Sequence, residues 1–142
     1  MLDYLFVYGS LRRAKNHSLH PYLNTHAVFI DRATLPGKLY HIASYPGAIP
    51  VHANDKSWIR GEVYRLLRPK LILPILDHYE ECTPQFPQPH EYQRRMSPVT
   101  LENGKILSAW VYWYGRPVAG LTQIATGDYF QYLPETHVPK PK

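Results

Sequence analysis

The first strand constrains this chain most. Asp3 to Tyr8 reads as an extended segment, with Leu5 and Val7 on one face and Tyr4, Phe6 and Tyr8 on the other. Both faces are largely apolar, so the strand must be covered on both sides. That asks for a central strand or a barrel. Gly9 then ends it, and Arg12 to Leu23 is polar with a few leucines, readable as a short helix after the loop.

Other strands follow from alternation and turn residues. Thr34 to Ile42 is a second candidate, interrupted at Pro36-Gly37, and Tyr45-Pro46-Gly47 reads as a turn. Trp58 to Leu66, Tyr92 to Leu101 and Ile106 to Tyr114 complete the set, the last two joined through Asn103-Gly104 as a two-residue hairpin. Past Gly115 the chain reads as irregular, with a turn at Thr126-Gly127-Asp128. One helix is expected between the third and fourth strands, with Pro69 or Pro74 in its first turn and its end near Cys82.

The bulk properties fit this outline. A chain of 142 residues is a single domain by default. Folding at that size buries roughly two-thirds of the unfolded surface. Twelve tyrosines favour strands and fourteen prolines punctuate loops. The expected domain spans 1–133, with residues 134–142 a flexible, Pro- and Lys-rich tail. A single cysteine, Cys82, excludes an internal disulfide and a Cys-rich zinc site. No apolar stretch has the length of a signal-peptide core or a membrane span, so a cytoplasmic protein with no membrane partner is expected. The net charge of +5 is scattered apart from Arg12-Arg13-Lys15, which gives no nucleic-acid stripe. His17 and His20 are three apart, but none of the histidines has ligand spacing with a nearby acid, so no metal is expected.

Two features carry chemistry. In the helix, positions 72, 76, 79 and 80 share a face, and three of the four are apolar. Glu80 therefore lies on the stripe that faces the core. There a carboxylate must be paired, hydrogen-bonded or protonated, and desolvation suits it to general acid/base work. Alternatively, Glu80 ends the helix in water or pairs with an arginine. Asp77 and Glu81 read as lying on a more solvated face. Tyr92 and Arg94 share one face of the fourth strand, within reach of Glu80 if strand and helix pack together. The second feature is Tyr8-Gly9-Ser10-Leu11, a strand-end loop whose free amides can hold carboxylate or carbonyl oxygens.

In order along the chain, these pieces resemble the γ-glutamylcyclotransferase-like (AIG2-like) family. Val7-Tyr8-Gly9-Ser10-Leu11-Arg12 is similar to its opening signature and Tyr45-Pro46-Gly47 to its mid-chain turn. Gly61-Glu62-Val63-Tyr64 resembles its third segment, and Leu76-Asp77-His78-Tyr79-Glu80 with Tyr92-Gln93-Arg94 resembles its Leu-Asp-x-x-Glu and Tyr-x-Arg pair. Thr126-Gly127-Asp128-Tyr129 is similar to a bacterial branch, with Tyr129 where that branch has tryptophan. The Pro-rich stretch 83–89 is longer than in compact members. The resemblance implies an α+β fold, a small mixed β-barrel flanked by a few short helices, with the ligand at the barrel mouth. It implies that the amides of Gly9, Ser10 and Leu11 hold a γ-glutamyl group, and that Glu80 is the acid/base. The implied reaction cyclises a γ-glutamyl amide to 5-oxoproline and frees the amine, with no cofactor. Tyr8, Tyr45, Tyr92, Arg94 and Tyr112 are the remaining candidates for the substrate site. The rival readings are a non-catalytic binder of a γ-glutamyl or similar polar metabolite, a metal hydrolase and a basic nucleic-acid module.

Overall fold

The computed structural model describes residues 3–9, 25–42, 45–52, 54–79 and 89–129. Their strands are β1 (Asp3–Val7), β2 (Ala27–Pro36), β3 (Lys38–His41), β4 (Pro46–Ile49), β5 (Trp58–Leu66), β6 (Tyr92–Leu101), β7 (Ile106–Tyr114) and β8 (Thr122–Gln123). One helix, α1 (Pro69–Tyr79), lies between β5 and β6. Five strands close into a barrel in the order β1-β5-β2-β6-β7, while β4-β3-β8 form a smaller sheet. The barrel is mixed, because β1 pairs with β7 in parallel and every other barrel pair is antiparallel.

Apolar residues on both faces of β1 have the covering they require. Phe6 joins Leu35, Val63, Val99 and Val111, one residue from each barrel strand, in the interior. Leu5 and Val7 point outward, into a second cluster with Tyr64, Leu66 and the helix residues Ile72, Leu73 and Leu76. Each such helix side chain, fully buried, contributes about 1.5–3 kcal/mol. Pro69 occupies the first turn of α1, and the Arg68 carbonyl accepts the Leu71 and Ile72 N–H groups. Pro74 instead sits inside the helix on its exposed side, where the lost hydrogen bond faces solvent. The Cys82 region, where the helix was expected to end, lies outside the described residues.

Several expectations are corrected. The second strand begins at Ala27, well before Thr34, and breaks at Gly37 into β2 and β3. A register shift between Phe29 and Asp31 explains the hidden start, since a bulge interrupts period-two patterning. Pro46 and Gly47 belong to β4 rather than to a turn; a proline is tolerated as the first residue of a strand. The bend ahead of them is closed by Ile42 N–H donating to Tyr45 O at 3.1 Å. The β6–β7 connection holds four residues, Glu102 to Lys105, not two. Leu101 N–H bonds to Lys105 O, Gly104 N–H bonds to Leu101 O, and Gly104 takes φ 91°. The short strand β8 lies in the stretch read as irregular.

Candidate functional site

Register brings the end of β1 and the end of α1 together. Antiparallel β5 sets Leu66 opposite Asp3 and Glu62 opposite Val7. Leu67 and Arg68 then reverse the chain, and α1 runs back along β1 for about 16 Å, the length of about five extended residues. Its last turn is fastened at the far end. Asp77 accepts the Tyr112 hydroxyl at 2.7 Å and Arg94 Nε and Nη2 at 2.7 and 3.1 Å. Tyr112 lies two residues beyond Trp110, the partner of Leu5, and so shares the level of Val7. Asp77 and Arg94 are each about one-fifth exposed, and the guanidinium stacks 4.2 Å from the Trp110 ring centroid.

The tyrosine candidates form two linked groups around this point. Tyr8 donates to Tyr112 O at 2.6 Å and accepts Ala48 N–H at 3.2 Å, which ties the end of β1 to β7 and β4. Tyr45 donates to the Glu91 carboxylate, and Tyr92 donates to Pro46 O at 2.6 Å. The Tyr45 and Tyr92 rings lie 6.4 Å apart. All four phenols are buried, and Gly9 is buried as well. Arg94 therefore engages Asp77, and the Tyr92 hydroxyl engages a backbone carbonyl. Ser10, Leu11 and Glu80 lie outside the described residues, as does Glu81.

Three acids that the sequence reading left without a role belong to this region. Asp77, read as solvated, holds the helix end. Glu91 is buried beside Tyr45; partial burial, with the Glu91 charge behind it, pushes the Tyr114 phenol up. Glu62 is only 5% exposed and accepts the Tyr64 hydroxyl at 3.2 Å. Period two along β5 places Glu62 on the face of Tyr64 and Leu66, so a signal for it was present. Nothing in the local pattern marks Glu91 or pairs Asp77 with Arg94, because both depend on β6 packing beside other elements.

Gly61 makes the Glu62 position possible. A Cβ there would collide with the Val7 carbonyl oxygen and stand 2.6 Å from Phe6 Cζ. Two clefts border the region. One of about 330 Å³ is lined by Asp77, His90, Gln93, Arg94 and Arg95. Another of about 310 Å³ lies across β2, β5 and β6, where Arg32 and Arg60 are matched by Glu102 and Asp128. No group of three or more His, Cys, Asp or Glu side chains fit to hold a metal occurs among the described residues. No described helix is long and apolar enough to cross a membrane.

Comparison with known proteins gives a consistent picture. A family model described as gamma-glutamyl cyclotransferase, AIG2-like, matches residues 5–131. The gamma-glutamylcyclotransferase family protein ytfP of Citrobacter rodentium is 33% identical over 126 residues, covering 88% of this chain and 93% of the relative. The solution structure of ytfP from Escherichia coli superposes with a TM-score of 0.63 at 31% identity, over 91% of this chain and 97% of that one. The crystal structure of an AIG2-like protein from Mus musculus has a TM-score of 0.74 at 23% identity, over 99% and 97% of the two chains, a likeness of fold.

Proposed function

Because the chain belongs to the AIG2-like gamma-glutamyl cyclotransferase family, we propose that it cyclises a γ-glutamyl amide to 5-oxoproline and releases the free amine. The observation that carries this reading is the meeting of β1's end with the last turn of α1, fastened by Asp77 to Tyr112 and Arg94. Gly9 leaves one of these ends, and Glu80 directly follows Tyr79 at the other.

The substrate's α-amine attacks its own γ-carbonyl carbon. A new C–N bond closes the five-membered ring, and the bond to the departing nitrogen breaks. Folding the chain so that amine and carbonyl meet is the larger part of the task. The amides of Gly9, Ser10 and Leu11 hold the γ-glutamyl group and polarise its carbonyl. Glu80 takes a proton from the α-ammonium and returns one to the leaving nitrogen. Tyr8, Tyr45, Tyr92 and Tyr112 form the wall behind the pocket, and Arg94 acts through Asp77. Atoms balance without metal or cofactor, and the reaction suits a cytoplasmic enzyme.

The test is 5-oxoproline release from a panel of γ-glutamyl amino acids and amines. Wild type should turn over at least one member. Glu80→Gln should lower kcat about 100-fold or more with an unchanged melting temperature. Binding without turnover across the panel would favour a non-catalytic pocket. Full activity in Glu80→Gln would remove Glu80 from the mechanism and direct attention to Glu81.

A further inference from the structure

The start of β5 has a pattern that the mechanism above does not use. Lys56, Trp58 and Arg60 are exposed and alternate with Ser57 and the fully buried Ile59, so a cation, a ring and a cation share one side. The chain has three tryptophans. Trp110 Nε1 donates to Asp3 at 3.0 Å, and Trp113 Nε1 donates to Ser97 at 3.3 Å. Trp58 is 50% exposed, and its indole makes no hydrogen bond or ring contact among the described residues. Register carries this face onto the neighbouring strands, with Arg60 opposite Thr34 and Thr34 opposite Thr100. Two clefts, of about 310 and 780 Å³, meet here and share Thr34 and Arg60. The backbone beneath is pinned by the Thr126-Gly127-Asp128 turn. Arg60 N–H donates to Gly127 O at 2.7 Å, and a Cβ on Gly127 would collide with the Trp58 carbonyl oxygen.

We propose that this face is a second ligand site, for a nucleoside monophosphate. Trp58 supplies the platform for the base, since every nucleobase has a π-face to stack. Arg60 follows on the same side about 7 Å along the strand, and its fork of N–H donors takes the phosphate. The hydroxyls of Thr34 and Thr100 stand in the same row and can donate to the same oxygens. The acids of this face do not cancel the charge. Glu102 lies 3.7 Å from Arg32, but those side chains are 64% and 75% exposed, and water weakens the attraction. Asp55 is held by Lys38 and by Ser57 N–H. The Arg60 guanidinium has no salt bridge or hydrogen bond among the described residues. Both cleft volumes fall within the range of small-molecule sites. A single base with its phosphate is favoured over a longer strand, which would need further platforms. No other aromatic side chain among the described residues lines either cleft.

The experiment measures binding of AMP, adenosine and inorganic phosphate to the full chain by calorimetry, with a melting curve for each variant. Wild type should bind AMP at least about 10-fold more tightly than adenosine or phosphate. Trp58→Ala should weaken both AMP and adenosine by about 10-fold or more, whereas Trp58→Phe, which keeps a ring, should retain most of the affinity. Arg60→Gln should weaken AMP by about 10-fold and leave adenosine unchanged. A wild-type protein that does not prefer AMP to adenosine and phosphate overturns the proposal, whether or not any variant folds. So does an AMP affinity that survives both Trp58→Ala and Arg60→Gln. Far tighter binding of an oligothymidylate than of AMP, lost steeply as salt rises, would replace the nucleotide with single-stranded nucleic acid and overturn it as well. Release of 5-oxoproline plays no part in these readings, so the two functions stand or fall separately.

Discussion

Asp77 satisfies three donor atoms from two strands while standing on a helix, so its loss reaches further than one contact. Removing one partner of a partly buried, hydrogen-bonded pair leaves the other charge uncompensated. Asp77→Asn should cost about 1–3 kcal/mol in urea unfolding, and Tyr112→Phe, which gives up a single hydroxyl bond, about 0.5–1.5 kcal/mol. Equal losses in the two variants would contradict the view that the guanidinium pairing dominates. At this scale the sequence was informative about residue type and poor on partners. Helical spacing placed Ile72 and Leu76 on the core-facing side of the helix, and both are buried there; Glu80, expected on the same stripe, lies outside the described residues. The same spacing assigned Asp77 to solvent, since a helix-face argument knows nothing of the strand that will supply Arg94. Glu62 was quoted for its motif, and the alternation of β5 already put it on an apolar face.

Among elements, β5, β6 and β7 were legible to their end residues. Each has sustained alternation or a dense apolar run and is bounded by a turn or a helix. The start of β2 was not legible, because Asp31 and Arg32 sit where a bulge shifts the register. The strand after Tyr45 was hidden by a proline and glycine that read as punctuation. Close approach between elements is equally invisible in one dimension. Gly61→Ala should destabilise by about 1–3 kcal/mol, because the obstructing atom is a backbone carbonyl of β1 and not a mobile side-chain tip. A melting curve that matches wild type would show that β1 and β5 can separate without penalty. The stretch before β5 is secured differently. Lys38 Nζ lies 3.1 Å from Asp55, and Gly37 N–H donates to Ser57 O at 3.1 Å. Hydrogen bonds from Ser57, with Lys38 behind them, hold the Asp55 carboxyl down to about 2 from its ordinary 3.8. A carboxyl depressed on folding stabilises fully above its ordinary value, and that stability drains away as pH falls toward 2. Asp55→Asn should therefore flatten the acid limb of a stability-versus-pH curve between about pH 4 and pH 2, and an unchanged limb would contradict the pairing.

At the level of the whole molecule, the barrel closes through the β1–β7 pairing, with Leu5 beside Trp110. This seam joins strands separated by nearly the full length of the described chain. During synthesis β1 emerges ahead of the other described strands and waits, with apolar side chains on both faces, until β5 and then β7 have left the ribosome. The long loops that must be closed before those pairings form make the search slow, and the waiting strand is a site for mispairing. A chain cut after Gly104 keeps β1, β5 and α1 but has no partner for the other edge of β1. It should accumulate in the insoluble fraction on expression, whereas supplying residues 105–142 on a separate chain should restore part of the soluble yield. Closure of the barrel is in this sense also a timetable, in which the earliest of the five barrel strands is among the last to be completed.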